Sequence, residues 1–203
     1  MKSASFNIVI LPPDEIAQKA ISISKLFQNK KALFTLNDKN HFAHITLYMV
    51  ELPLKNVPEV ITELKKIASE TRSLELTKDK YRQSFRGYLD VGFKKTHEVS
   101  ALQKTIIEKI NPFREGLLKP SDQGMMSGMD KAELNNLKNY GSGFIFDQWT
   151  PHITFTKLED TDKTAFENIK EEDFSFTVDK IGLFYLGDYG TCREKVAQFD
   201  LKD

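Results

Sequence analysis

The chain has 203 residues, 29 Lys+Arg against 29 Asp+Glu and 40% apolar side chains, so it is neutral overall and long enough to bury a core. That composition excludes collagenous, coiled-coil and wholly disordered chains, and neutrality argues against bulk binding of duplex DNA while leaving room for a local anion site. The single cysteine, Cys192, excludes an intrachain disulfide and a cysteine-rich zinc module. The apolar run 6–11 stops at Pro12-Pro13, far short of a signal core or a membrane span. The expectation is a cytoplasmic monomer with no membrane partner.

FNIVIL (6–11) predicts a strand that the two prolines end, and Asp14-Glu15 followed by Ile16, Ala20, Ile23 and Phe27 predicts a helix. ALFTL (32–36) and HFAHITLYMV (41–50) read as strands. Pro58-Glu59 opens a second helix with Val60, Leu64, Ile67 and Ala68 on one face. Strands follow at 73–78 and about 84–93, then a third helix marked by Val99, Leu102, Ile106 and Ile110. Residues 112–147 carry Gly116, Pro120, Gly124, Gly128, Gly141 and Gly143, and read as a long connection or lid with a short helix near 130–139. QWTPHITFTKL (148–158) returns to strand, followed by a short acidic helix at about 161–170 and strands at 173–178, 181–186 and 194–201.

An internal echo is present. SLELTKDK (73–80) resembles DFSFTVDK (173–180), and each follows a strand that contains His-Ile-Thr. The ordered set predicts a duplicated α+β unit, with no solenoid repeat. The two motifs, His44-Ile45-Thr46-Leu47 and His152-Ile153-Thr154-Phe155, carry the chemistry. Strand alternation puts each His and Thr on one face and the apolar pair on the other. A pseudo-two-fold axis between the units would turn both polar faces into one cleft. Paired imidazoles suit a reaction needing a base and an acid together, and short hydroxyl donors suit phosphate oxygens that gain charge. No HExxH, CxxC or carboxylate–His cluster accompanies them, so no metal and no cofactor is expected. P-loop, GxGxxG and GxSxG signatures are missing too, which removes nucleotide triphosphatase, dinucleotide oxidoreductase and serine hydrolase readings.

The paired motifs and the duplicated α+β order resemble the two-histidine (2H) phosphoesterase superfamily, with its RNA-ligase-like and cyclic nucleotide phosphodiesterase members. The resemblance extends to the terminal strands GLFYL and KVAQFDL. It implies a bilobal fold in which two antiparallel sheets form a V-shaped groove with helices outside. It also implies that His44 and His152 are the acid–base pair and that Thr46 and Thr154 bind the phosphate. NPFREGLL (111–118) and NYGSGFIFDQWTPHITFT (139–156) are similar to a branch associated with phosphonate-utilisation gene clusters. Where many relatives place Arg after the second motif, this chain has Lys157. Parity puts Lys157 on the face opposite His152, away from substrate.

Tyr48 lies two beyond Thr46, on the same face by parity, and either stacks on a nucleobase or closes the sheet edge. Arg114 is a substrate clamp if its segment folds over the groove. Phe42 reads as core, and His41 and His97 as solvent-facing or capping residues. The basic stretch 78–95 could steer an anion if it borders the cleft; the acidic run 158–173, with Lys163 and Lys170, reads as a solvated face. The function expected is a metal-independent phosphoesterase acting on a 2′,3′-cyclic phosphate or 2′–5′ linkage of an RNA end or small cyclic nucleotide. RNA ligation is the reverse of the same chemistry. The alternatives are a non-catalytic RNA-end or nucleotide-binding module and an accessory phosphoesterase of phosphonate metabolism.

Overall fold

The first predicted strand is β1 (Ser3–Ile10), and Pro12-Pro13 separate it from α1 (Asp14–Leu26), whose first-turn acids Asp14 and Glu15 and last-turn Lys25 suit the helix dipole. A computed structural model describes residues 2–84, 86–124, 126–162, 164–167 and 169–202. The first motif opens β2 (Ile45–Pro53), and Pro58 sits in the first turn of α2 (Val57–Glu70). Then come β3 (Leu74–Leu76) and the hairpin of β4 (Lys78–Gln83) with β5 (Tyr88–Phe93). Gly87 makes the tight turn of that hairpin, with φ of +82°. Thr96 caps α3 (His97–Ile110) through the Val99 amide, and Asp130 with Glu133 form a capping box on α5 (Lys131–Tyr140) beyond the short α4 (Pro120–Gln123). The second motif opens β6 (His152–Lys157), followed by β7 (Phe176–Val178), β8 (Lys180–Leu186) and β9 (Cys192–Asp200).

Three predicted elements take another form, the first being the strand expected at about 84–93, which is confined to β5 because a hairpin turn precedes it and joins it to β4. Residues 32–36 make one isolated bridge, Ala32 with Leu158, rather than a strand. Their backbone is held by side chains instead: Ser24 Oγ accepts from the Leu36 amide at 2.8 Å, and Thr156 donates to the Phe34 carbonyl at 2.5 Å. The predicted acidic helix at 161–170 is a string of single turns, with Ala165, Glu167 and Ile169 amides each bonded three residues back. Lys163, counted in that acidic run, lies outside the described residues.

The α+β class holds. Seven strands form one sheet in the order β4-β5-β6-β2-β1-β8-β9, and β3 and β7 form a second, two-stranded sheet. Among the described residues β2 and β6 pair at Ile45 with Ile153 alone, so the large sheet is two antiparallel halves joined at one residue pair. Those isoleucines are the same position of the two motifs. In the small sheet Leu76 pairs with Phe176, again the same position of the echo. At both of these contacts corresponding residues meet each other, as a two-fold relation requires. The strand order obeys it as well, with β4, β5 and β6 matching β8, β1 and β2. Each half-sheet is thus completed by a strand from the other unit. Helices cross over in the same way: α1 packs on β6 and α3 on β2. Burial of Phe6, Ile8, Ile10, Ile45 and Ile153 beneath these helices leaves the opposite sheet face for the motifs.

Candidate active site

The motif strands share one irregularity. Val9 pairs with Thr46 and Ile8 with Tyr48, so Leu47 is an extra residue against β1. Asp90 pairs with Thr154 and Leu89 with Thr156, so Phe155 is extra against β5. Each strand carries a β-bulge at the fourth motif position, which reverses which face the following residues show. Before the bulge, His44, Thr46, His152 and Thr154 are half-buried and line one cavity of about 550 Å³, while Ile45, Leu47, Ile153 and Phe155 are in the core. The antiparallel seam puts His44 toward Thr154 and Thr46 toward His152.

The two rings are held alike. His44 Nδ1 lies 2.7 Å from the Phe42 carbonyl, and His152 Nδ1 lies 2.8 Å from the Thr150 carbonyl. A carbonyl only accepts, so each Nδ1 carries a proton and each Nε2 is turned to the cavity. Their surroundings differ. Burial pushes His44 down to about 4; the Phe42 carbonyl opposes this, the charge of His152 adds to it, and the Gly190 carbonyl opposes it more weakly. Asn7, a fully buried residue of β1 that the sequence reading did not select, donates to Thr46 Oγ1 at 3.1 Å and reaches His44 Nε2 at 3.3 Å. Accepting from Asn7 leaves the Thr46 hydroxyl proton available to the cavity. Trp149 donates its indole N–H to the Thr46 carbonyl at 2.9 Å and locks β2 from the other unit.

Three expectations need correction. Tyr48 is fully buried, because the Leu47 bulge turns it from the cleft; its hydroxyl donates to the Tyr140 carbonyl, so base stacking on its ring is closed off. Lys157 lies on the cleft side, because the Phe155 bulge reverses the parity that pointed it away. Its ammonium sits 5.2 Å from the Tyr88 ring centre and 5.0 Å from that of Tyr189, two rings that line the cavity. Arg114 is buried and does not line the cavity. Its guanidinium bonds Asn111 Oδ1 at 3.0 Å and the carbonyls of Leu117 at 2.6 Å and Asn139 at 3.0 Å, clasping the connection to itself. Phe42 is half-buried and packs on Phe184 at the edge of the core, and His97 is exposed at the start of α3, as expected.

A family model described as the 2′-5′ RNA ligase superfamily matches residues 12–190, nearly the whole chain. The chain belongs to the 2′-5′ RNA ligase superfamily. This is the 2H phosphoesterase relationship that the paired motifs implied. Among solved structures, Escherichia coli LigT in apo form matches with a TM-score of 0.61 at 14% identity, covering 100% of both chains. LigT complexed with 3′-AMP matches with a TM-score of 0.60 at 15% identity, again over 100% of both. TT0787 of Thermus thermophilus matches with a TM-score of 0.61 at 12% identity over 98% of each chain. No curated protein is significantly similar in sequence.

Within this superfamily fold, the rest of the cavity wall comes from segments the motifs did not reveal. Phe144 and Tyr189, each 43% exposed, and Tyr88 bring aromatic rings to it. Arg86 is the part of the basic stretch that lines the cavity, with its guanidinium 5.5 Å from the Phe144 ring centre. Other members of that stretch are engaged elsewhere: Lys78 pairs with Glu171 of the acidic run, and Arg82 with Asp90 at 2.8 Å. Among the described residues no helix is long and apolar enough to cross a membrane, and no three His, Cys, Asp or Glu side chains converge as a metal site needs.

Proposed function

We propose that this chain is a metal-independent phosphoesterase that opens a 2′,3′-cyclic phosphate, or cleaves a 2′–5′ linkage, at an RNA end or in a small nucleotide. One observation carries the reading: two imidazoles, each with Nδ1 tied to a backbone carbonyl and Nε2 directed into one cavity, stand beside two threonine hydroxyls. In hydrolysis, one Nε2 takes a proton from water as the water oxygen bonds to phosphorus. The other ring, protonated, gives its proton to the ribose oxygen as the P–O bond breaks, so the pair ends with its protonation states exchanged. Thr46 and Thr154 donate to the phosphoryl oxygens, where charge gathers in the transition state. The exposed rings Phe144 and Tyr189 offer faces to a base, and Arg86 offers a cation to phosphate. LigT has been solved with 3′-AMP, ATP and NADP+, which favours a nucleotide as ligand here.

The test is a panel of 2′,3′-cyclic nucleotides and 2′–5′ oligonucleotides incubated in EDTA, with products identified by mass and linkage. Turnover to a single monoester isomer is expected. Binding with every ligand recovered unchanged would refute catalysis and leave a nucleotide-binding module. Activity only on restoring a divalent ion would refute metal independence.

A further inference from the structure

We infer that Asn7 is a positioning residue that holds His44 as the proton acceptor of the pair and so leaves proton donation to His152. The inference rests on the acid–base reading above and assigns the two roles, which the near-symmetric motifs leave equal.

Four atoms surround the Asn7 amide. Its nitrogen approaches His44 Nε2 at 3.3 Å, Thr46 Oγ1 at 3.1 Å, the Gly190 carbonyl at 3.5 Å and Cys192 Sγ at 3.6 Å. The Gly190 carbonyl can only accept, so the N–H end of the amide belongs in this corner. His44 Nδ1 already carries its proton toward Phe42. An amide N–H can therefore be accepted at Nε2 only while that nitrogen keeps its lone pair. A second proton on the ring would set N–H against N–H. Turning the amide over would bring its oxygen, which is buried without a hydrogen-bond partner, against the Gly190 carbonyl. A charged His44 would keep the Gly190 carbonyl as an acceptor, but it would also face either the Asn7 N–H or, with the amide turned, an amide oxygen set against that carbonyl. The resting ring is therefore neutral, and a proton taken at Nε2 is held only during turnover.

Among the described residues the second unit has no such device. The bulged registers make Tyr88 the counterpart of Asn7 and Asp90 the counterpart of Val9. Tyr88 lies under the Lys157 ammonium, and Asp90 pairs with Arg82, whose other nitrogen reaches Thr150 Oγ1 at 3.4 Å. Gly92, across from His152, leaves the room this guanidinium occupies, because a Cβ there would lie 2.9 Å from it. In the first unit the same face carries Val9, Phe184 and Cys192, packed with Phe42. His152 thus stands by an ion pair and His44 by apolar groups.

The other titratable groups around His44 do not reverse this. From β6 comes His152, whose charge disfavours a second cation. From β9 comes Cys192, a buried thiol pushed well up and therefore neutral. Across the cavity, Lys119 is paired with Asp122 at 2.6 Å, Asp188 lies on the β8–β9 turn, and Arg86 lies on the β4–β5 turn.

Two measurements test the inference. In protein labelled with ¹⁵N-histidine, with the His44 signals assigned by their loss in His44→Ala, His44 should carry its proton on Nδ1 alone from pH 8 to pH 5. A doubly protonated His44 at pH 6, or its proton on Nε2, would overturn the proposal without any change at Asn7. Asn7→Asp replaces the donor by an acceptor-only group of the same shape. The His44 titration should then move up by at least one pH unit with that of His152 unmoved, and the acid limb of kcat/KM should follow, about tenfold in rate at a pH below the limb. An unmoved His44 titration in folded Asn7→Asp overturns the role of Asn7. A shifted titration in a chain that turns over no phosphodiester overturns the proposed reaction instead.

Discussion

His44 and His152 hold the same motif position, make the same Nδ1 bond and face the same cavity, so removing either should stop the same step. His44→Ala or His152→Ala is expected to lower turnover by about 10²–10⁴, and the double variant should be little worse than the singles, since the rings act as a unit. Steady-state rates on folded proteins with the best cyclic phosphate decide this; parental rates in both would end the catalytic reading. Thr46→Val keeps the strand and removes a hydroxyl, and should cost up to about 10²–10³ in kcat with KM little changed. His44 also couples site to stability. Its ring titrates near 6.5 unfolded and about 4 folded, so the unfolded chain binds more protons between those values. Stability should therefore be full above about pH 6.5 and fall as pH drops toward 4, by up to about 3 kcal/mol from this residue. Urea midpoints at pH 7 and pH 4.5 should show a smaller fall in His44→Ala than in the parent.

At the scale of elements, the two bulges decide what faces the substrate. A regular strand would present Tyr48 and hide Lys157; the extra residues Leu47 and Phe155 do the reverse. Lys157→Gln is expected to weaken nucleotide binding several-fold with kcat preserved, measured as KM against kcat, because the lysine supports the Tyr88 and Tyr189 rings and does not touch the reacting groups. The connection between α3 and β6 shows a different economy. Arg114 satisfies carbonyls that no ladder reaches, so Arg114→Ala should destabilise the fold by roughly 2–3 kcal/mol in urea unfolding, through buried acceptors left unpaired. Arg114→Lys should recover little of it, since an ammonium lacks the planar fork.

For the whole molecule, the exchange of β4 and β8 between the duplicated units means that neither half-sheet is complete in its own segment of chain. Unfolding should be a single transition. Trp149, hydrogen-bonded to the Thr46 carbonyl at the meeting of the units, reports on their contact. Its fluorescence and the far-ultraviolet circular dichroism should change at the same urea concentration; two separated midpoints would show independent lobes.

The sequence by itself determined the motif pair, its polar and apolar faces, the duplication and the family. These are local facts: alternation sorts His44 and Thr46 from Ile45 and Leu47 within four residues, and the echo repeats it. Only the tertiary structure decided what depends on neighbouring strands. The bulges exist because β1 and β5 pair with the motif strands in a shifted register, so Tyr48 and Lys157 exchanged expected places. Residues 32–36 had strand-like composition, but their partners are the side chains of Ser24 and Thr156, brought from afar. Asn7 reads as an ordinary polar residue in a β-branched run until the sheet sets it under His44. Two near-identical motifs could not show which ring lies by apolar groups and which by an ion pair, because that difference sits on strands remote from both.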